Sequence, residues 1–285
     1  MSIINRHFIN LKKSLTFPDT LLAVALPCEA KPLIDYFKLK KNLSVQAFAV
    51  YRNENIVLIV TGIGKTAMAA GVAYTMALLP SVNNPVMLNI GIAGHKHHSI
   101  GQLFLTDKIT DNDTGRSYYP PLVFAPPCPT HSLQTVSLPQ SVYPEQALCD
   151  MEGSAFYETA VRFSTGELIQ CLKIISDNET SPANNIQPQW VSSLIASKLE
   201  VINGVVTSLT TIADSINNLN DAGFEYVVTR FRFTINEQLQ LKKLLNRWQL
   251  MDAKENLDDL ADTAKNGREF VKILENAMNN TEFYL

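Results

Sequence analysis

Short apolar runs bounded by glycine-rich turns alternate, over the first two thirds of the chain, with stretches of helical spacing. Leu21–Leu26 (LLAVAL) is a run of the kind that forms a buried strand. Val45–Tyr51 and Ile56–Thr61 flank the polar Arg52-Asn-Glu-Asn55 and predict a hairpin. Thr61-Gly-Ile-Gly-Lys-Thr66 leads into the alanine-rich Ala67–Leu79, which predicts a helix. Val86–Ile90 predicts another buried strand, ending in Gly91-Ile92-Ala93-Gly94, and Gln102–Asp107 and Leu168–Ile175 continue the sheet. Glu152–Phe163 places Ala155, Phe156, Thr159, Ala160 and Phe163 on one helical side, and Val191–Ile216 predicts one long helix. Thr110–Pro144 carries Tyr118-Tyr119-Pro120-Pro121 and Ala125-Pro-Pro-Cys-Pro129. Prolines at that density exclude helix and central strand, so this stretch predicts a long loop.

The alternation implies an α/β fold, with any ligand site outside the carboxyl ends of the strands. From Leu219 the pattern changes. Thr234-Ile-Asn-Glu237 fits a capping box, and Leu241, Leu244, Leu245 and Trp248 follow at helical spacing. Leu257, Leu260, Ala261 and Ala264 make a second stripe, prolonged by Phe270, Val271, Leu274 and Met278. Residues 1–218 are therefore expected to form one domain and 219–285 a helical extension, docked on the core or on a partner because apolar stripes are normally covered.

Composition narrows the class. Hydrophobic residues make up 46% of the chain and charged ones 18%, enough apolar material for a sizeable core and too much for a disordered protein. The formal net charge of −3 gives no grip on a phosphate backbone, so a small molecule is expected rather than a nucleic acid. Cys28, Cys128, Cys149 and Cys171 form no Cys-x-x-Cys pair and predict free thiols in the cytoplasm. The opening MSIINRHFINLKK lacks the apolar core of a signal peptide, and no run approaches the length of a membrane span.

Four segments carry chemistry-bearing residues: Ala25-Leu-Pro-Cys-Glu-Ala30, Thr61-Gly-Ile-Gly-Lys65, Asn89-Ile-Gly-Ile-Ala-Gly94, and Asp150-Met-Glu-Gly-Ser-Ala155 followed by Ile175-Ser-Asp-Asn178. Read singly, Glu29 fits a surface residue after a strand, Glu152 a favourable helix start, and Asp177 a turn or cap. Their joint order and spacing resemble the purine nucleoside phosphorylase and nucleosidase family over residues 20–216, nearest to 5′-methylthioadenosine/S-adenosylhomocysteine nucleosidases. The Asp-Met-Glu-Gly-Ser-Ala segment followed by Ile-Ser-Asp is the most specific part.

The resemblance implies a three-layer mixed sheet flanked by helices, with residues 219–285 outside the family fold. It implies that Glu152 and the backbone of Met151 hold the ribose hydroxyls, that Asp177 protonates or hydrogen-bonds purine N7, and that Glu29 orients and activates water. Gly64, Ile92, Ala93, Gly94 and Ser176 would line the pocket. It further implies a purine nucleoside of the methylthioadenosine or adenosylhomocysteine class, a place in purine or methionine salvage, and a homodimer or higher oligomer. A phosphorylase and a non-catalytic nucleoside-binding module are the alternatives.

Two places depart from the family pattern. Phosphorylases carry an arginine shortly before the glycine strand end and a serine after its first glycine, whereas this chain has Asn89 and Ile92. Water is the better expectation, because an anionic Glu29 repels phosphate. The segment that supplies an aromatic to stack on the base is shortened to Thr135–Leu138, with Tyr118, Tyr119, Phe124, Phe156 and Tyr157 available elsewhere. No cofactor motif is present: Thr61–Lys65 lacks both the phosphate-loop and the dinucleotide spacing. His95, His97 and His98 match no zinc spacing, so no metal is expected and the stretch predicts a solvated loop or a lid at the mouth of the site; His131 and His7 predict surface or packing residues.

Overall fold

A computed structural model describes residues 19–79, 83–140, 142–182, 187–250 and 256–279. Residues 1–13, read above for a signal peptide, and His7 among them lie outside the described set. The chain divides into two compact units, residues 1–213 and 214–285.

In the first unit, β1 (Thr20–Val24) lies between β4 (Ile56–Val60) and β5 (Val86–Gly94), parallel to both. Antiparallel β3 (Ala49–Arg52) and β2 (Lys40–Lys41) extend the sheet beyond β4. On its other side β5 runs parallel to β10 (Ile169–Asp177), which is antiparallel to β6 (Leu103–Asp111). β6 is parallel to β8 (Thr130–Thr135), β8 to β9 (Leu148–Asp150), and β9 returns to β5 where Cys149 faces Gly94. A short β7 (Ser117–Tyr118) pairs with β6. The sheet thus closes on itself through five strands and opens into an arm at β1.

Helices cover both faces. Leu21, Ala23, Val57, Ile59 and Met87 point to one side, where they pack with Met68, Val72 and Met76 of α2 (Lys65–Ala77) and Phe156, Tyr157 and Ala160 of α3 (Gly153–Ala160). The alternate residues Leu22, Val24, Leu58 and Leu88 are equally buried. A strand buried on both faces reads as a continuous apolar run, which is why LLAVAL and its equivalents carry no polar alternation. α1 (Pro27–Phe37) packs on α4 (Pro188–Ala196). The architecture is the mixed α/β sheet flanked by helices that the sequence predicts.

Two elements differ from expectation. Val191–Ile216 is not one helix: α4 ends at Ala196, and α5 begins at Leu199 and runs to Arg230. The proline-rich stretch Thr110–Pro144 is not one loop, because β8 lies within it. Its sequence, THSLQT, is too polar to read as a strand, yet it lies in the gap between Pro129, directly before it, and Pro139. Leu133 and Thr135 face inward there, and the ladder to β6 supplies what propensity does not.

The second unit covers its own apolar stripes. Leu241, Leu244, Leu245 and Trp248 of α6 (Ile235–Leu250) are buried with Leu260 and Ala261 of α7 (Leu257–Thr263) and with Phe270, Val271, Leu274 and Met278 of α8 (Gly267–Asn279). Phe224 and Val227, from the α5 residues of this unit, complete the cluster. The capping box forms: the Thr234 N–H donates to Glu237 Oε2 at 2.9 Å, and the Glu237 N–H to Thr234 Oγ1 at 3.3 Å. The boundaries at 213 and at 218 both fall inside α5. Among the described residues no helix is long and apolar enough to cross a membrane.

Phe270 is fully buried at the centre of this cluster. Phe270→Ala is expected to destabilise the second unit by about 3–5 kcal/mol. Urea unfolding followed by circular dichroism checks this, and a loss below about 1 kcal/mol would show that the cluster is not a packed core.

Candidate functional site

Four strand ends converge on one cavity of about 180 Å³. The end of β1 supplies Ala25 and Leu26, with Glu29 in the first turn of α1 behind them; β5 supplies Ile92, Ala93 and Gly94; β9 leads into Asp150, Met151 and Glu152; β10 supplies Ser176 and Asp177. Val136, Pro139, Gln140 and Tyr143 wall the remaining side.

Glu29 is held by backbone alone. Its Oε2 accepts the N–H groups of Ala25 and Leu26, each at 2.9 Å, and its Oε1 accepts that of Ile92 at 3.0 Å. Strand β1 must run straight into α1 for this, since the carboxylate turns back onto the amides that precede its own helix. Burial raises the Glu29 pKa; the Leu26 N–H, the Lys173 charge and the Ile92 and Ala25 N–H groups oppose that rise. Residue 91 of β5 has to be glycine: a Cβ on Gly91 would sit 2.9 Å from Glu29 Oε1 and 3.6 Å from Lys173 Nζ.

Lys173 and Asp150 lie below the cavity. Their side chains are 1% and 0% exposed, and Nζ stands 2.7 Å from Oδ2. Asp150 Oδ2 also accepts the Gly153 N–H at 2.8 Å, and Oδ1 accepts the Thr135 hydroxyl at 2.7 Å. The same hydroxyl accepts the Ser154 N–H at 2.9 Å. One carboxylate therefore joins β8, the start of α3 and β10. Burial pushes the Lys173 pKa down, but Asp150 first, then Cys171 and Glu152, more than reverse it, and the ammonium stays charged.

The Met151–Glu152 turn rides on that anchor. Glu152 Oε1 accepts the Gly64 N–H at 2.7 Å, which ties the start of α3 to the start of α2. Burial, and then the Asp150 charge, raise the Glu152 carboxyl to about 7, against the pull of Lys173 and of the Gly64 N–H. At neutral pH this group both accepts and donates hydrogen bonds.

Asp177 ends β10 and accepts the Ser176 hydroxyl on Oδ1. A Cβ on Gly94 would meet Asp177 Oδ2 at 2.7 Å and the Tyr143 ring at 2.6 Å, so glycine is required where the two approach. Tyr143 covers this end of the cavity.

Of the residues singled out in the sequence, Glu29, Ile92, Ala93, Gly94, Met151, Glu152, Ser176 and Asp177 all line the cavity, and Gly64 reaches it through its bond to Glu152. None of the five aromatics offered for base stacking lines it. Phe156 is in the core, Tyr118 packs on Tyr157, and Tyr119 is exposed. Sequence reasoning missed Tyr143, hidden among prolines, and Lys173. For Lys173 a signal existed: a lysine within the apolar run Ile169–Ile175, on a strand buried along its whole length. Of the two expectations for His95–His98, the solvated loop is corrected, because His95 is only 3% exposed and packs with His98 and with the half-buried His131.

No family model matches the chain, and no curated protein matches it. Solved structures do. A 5′-methylthioadenosine/S-adenosylhomocysteine nucleosidase from Helicobacter pylori, crystallised with butyl-thio-DADMe-Immucillin-A, is 15% identical over 67% of this chain and 99% of its own, with a TM-score of 0.52. The 5′-methylthioadenosine nucleosidase of Arabidopsis thaliana in apo form is 15% identical over 68% and 96%, with a TM-score of 0.54. A methylthioadenosine/S-adenosylhomocysteine nucleosidase from Colwellia psychrerythraea 34H, in complex with adenine, is 15% identical over 67% and 95%, also with a TM-score of 0.54. The chain shares their fold.

Two expectations follow from the buried charges. Lys173→Met leaves Asp150 charged and unpaired, and is expected to cost about 3–5 kcal/mol. Lys173→Met with Asp150→Asn should recover part of that loss; denaturant unfolding of both variants checks it, and no recovery would deny the pairing. The Glu152 pKa is raised, so ionising it costs the folded state. Stability is fully present below the ordinary glutamate range and is lost as pH rises through about 7. Glu152→Gln should therefore melt above the parent at alkaline pH, by a margin that narrows towards acid pH. Thermal melts at both ends test this, and a margin that does not change with pH contradicts it.

Proposed function

We propose that the cavity binds a purine nucleoside and hydrolyses its N-glycosidic bond. The observation that carries this reading is the convergence of three carboxylates, Glu29, Glu152 and Asp177, on one small cavity from three separate strand ends. The nucleoside ligands and adenine named with the neighbouring structures fit a cavity of that chemistry.

The ribose lies over Met151 and Glu152. A carboxyl close to half-ionised at neutral pH matches a pair of sugar hydroxyls, accepting from one and donating to or accepting from the other. The base lies between Tyr143 and Asp177, and Asp177 delivers a hydrogen bond or proton to N7. Electron density then leaves the C1′–N9 bond for the purine as C1′ becomes cationic. Water attacks C1′ and its proton passes to Glu29, which burial makes a stronger base than an exposed glutamate. Free base and free sugar are the products.

Water fits the nucleophile position better than phosphate. Ile92 offers a backbone N–H, already given to Glu29, and no hydroxyl. Among the described residues, the cation beneath the cavity, Lys173, is neutralised by Asp150. A phosphate dianion would meet Glu29, and among the described residues no arginine or lysine lines the cavity to offset the repulsion. Substrates of the 5′-methylthioadenosine and S-adenosylhomocysteine class head the panel to be tried, by analogy with the neighbours.

Incubation with a nucleoside panel, with and without phosphate, followed by chromatography of the released base, tests the reading. Base released equally without phosphate is expected; strict phosphate dependence would make the protein a phosphorylase, and binding without turnover a nucleoside-binding module. Asp177→Asn should lower kcat by about 10²–10⁴-fold with folding unchanged. Near-normal turnover in that variant removes Asp177 from the leaving-group role.

A further inference from the structure

The turn that follows β5 is built on a buried histidine. His95 Nδ1 accepts the backbone N–H groups of both His97 and His98, each at 3.0 Å. A nitrogen that accepts two N–H bonds carries no proton, so the proton of His95 sits on Nε2. The His98 ring lies 4.0 Å from that of His95, and His131, from β8, stands 5.1 Å from His95 and 4.9 Å from His98. Phe104 closes the cluster from β6.

This turn holds the wall of the cavity. The His95 N–H donates to the Asp177 carbonyl at 3.1 Å, and the Lys96 N–H to the Pro144 carbonyl at 3.4 Å. Lys96 Nζ and His97 Nε2 reach the Glu145 carboxylate at 3.7 and 3.4 Å. Asn178 Nδ2 donates to the His98 carbonyl at 2.9 Å. Pro144 and Glu145 directly follow Tyr143, the residue that covers Gly94 and Asp177.

Three imidazoles with nitrogens within 4.8 Å outline a metal site. The hydrogen bonds on His95 argue against one. To offer Nε2 to a cation, the ring must shed its remaining proton or abandon both backbone N–H groups.

We propose that the His95–His98 turn is a pH-sensitive clasp: with its imidazoles neutral it holds the Tyr143–Glu145 segment against Asp177, and protonation of the cluster releases that segment. Protonating Nδ1 of His95 would point a donor at two donors and break both bonds of the turn. The titratable and charged groups around the ring are Lys96, His97 and His98 on its own turn, His131 on β8, Glu145 beside Tyr143, and Asp177 and Glu179 at and after the end of β10. Glu145 is occupied by Lys96 and His97 on the exposed side, and β6 presents Phe104 to the His98 and His131 rings. Burial, and then the charges His98 and His131 would carry, lower His95 to about 4 against a backbone bond to Glu145, while burial and then the charges of His131 and His97 lower His98. The sign follows: the neutral, clasped form is fully favoured above the ordinary histidine range and is lost as pH falls from about 6.5 towards 4.

Hydrogen exchange of the whole protein, read by mass spectrometry and corrected for intrinsic pH dependence, tests the clasp without any ligand. It is thus independent of the proposed function. Protection of residues 95–98 and 142–145 should fall at least about tenfold between about pH 7.5 and about pH 5, while β1 and β5 keep theirs. His95→Asn supplies a side-chain oxygen that takes N–H groups two and three residues on and does not titrate, so it should keep its protection at the acid end. His131→Phe, which removes one titrating ring but keeps the packing, should move the loss to lower pH. Undiminished protection of the parent at acid pH, or the same loss in both variants, overturns the proposal. Protection at neutral pH that disappears on chelation, with zinc restoring it, also overturns it, in favour of a metal site.

Discussion

The Lys173–Asp150 pair organises the site because neither member has water to fall back on. Removing two charges from water costs several kcal/mol each, and that cost is met only when every remaining lone pair and proton is bonded. Asp150 meets the condition with the Thr135 hydroxyl and the Gly153 N–H as well as the ammonium. The requirement fixes three elements at once. β8 must bring Thr135 under the start of α3, β9 must end at residue 150, and β10 must present residue 173 inward. The closure of the sheet through β8 and β9 is the geometry that satisfies all three.

The same cation sets the electrostatics above it. Glu29 and Glu152 are both buried carboxyls, and for both burial is the largest influence and pushes the pKa up. Lys173 is the positive charge that counters it in each case. Burial and Lys173 thus act in opposite senses on both carboxyls, and opposed influences of this kind cluster at functional sites.

How much of this was legible in the sequence depended on whether a feature is local. The strands buried on both faces announced themselves as apolar runs, the capping box at Thr234 as a four-residue pattern, and Glu29, Glu152 and Asp177 as acids at strand ends in a familiar order. β8 was invisible because THSLQT takes its strand conformation from β6 and β9 on either side, and the sequence around it speaks only of proline. The α4–α5 break was invisible because Ser197 and Lys198 are ordinary helix residues. Tyr143 and the His95–His131 contact join residues whose spacing has no local signature, and each is made only when the sheet closes.

The site's economy of side chains bears on how far such a sequence can diverge. Glu29 is positioned by the amides of Ala25, Leu26 and Ile92, and Glu152 by that of Gly64. Any residue but proline supplies an amide, so Ala25, Leu26 and Ile92 hold Glu29 in place whatever their own side chains are, whereas Gly64, at φ +98°, has to stay glycine. What the arrangement does demand is glycine at 91 and 94, where a Cβ would strike Glu29 or Asp177, and a charge pair beneath. Such a site tolerates exchange at most positions while the backbone is kept. A fold shared at 15% identity is what that tolerance permits. The identity of the residues around the acids then says little about the reaction; the path of the backbone that donates to them says more.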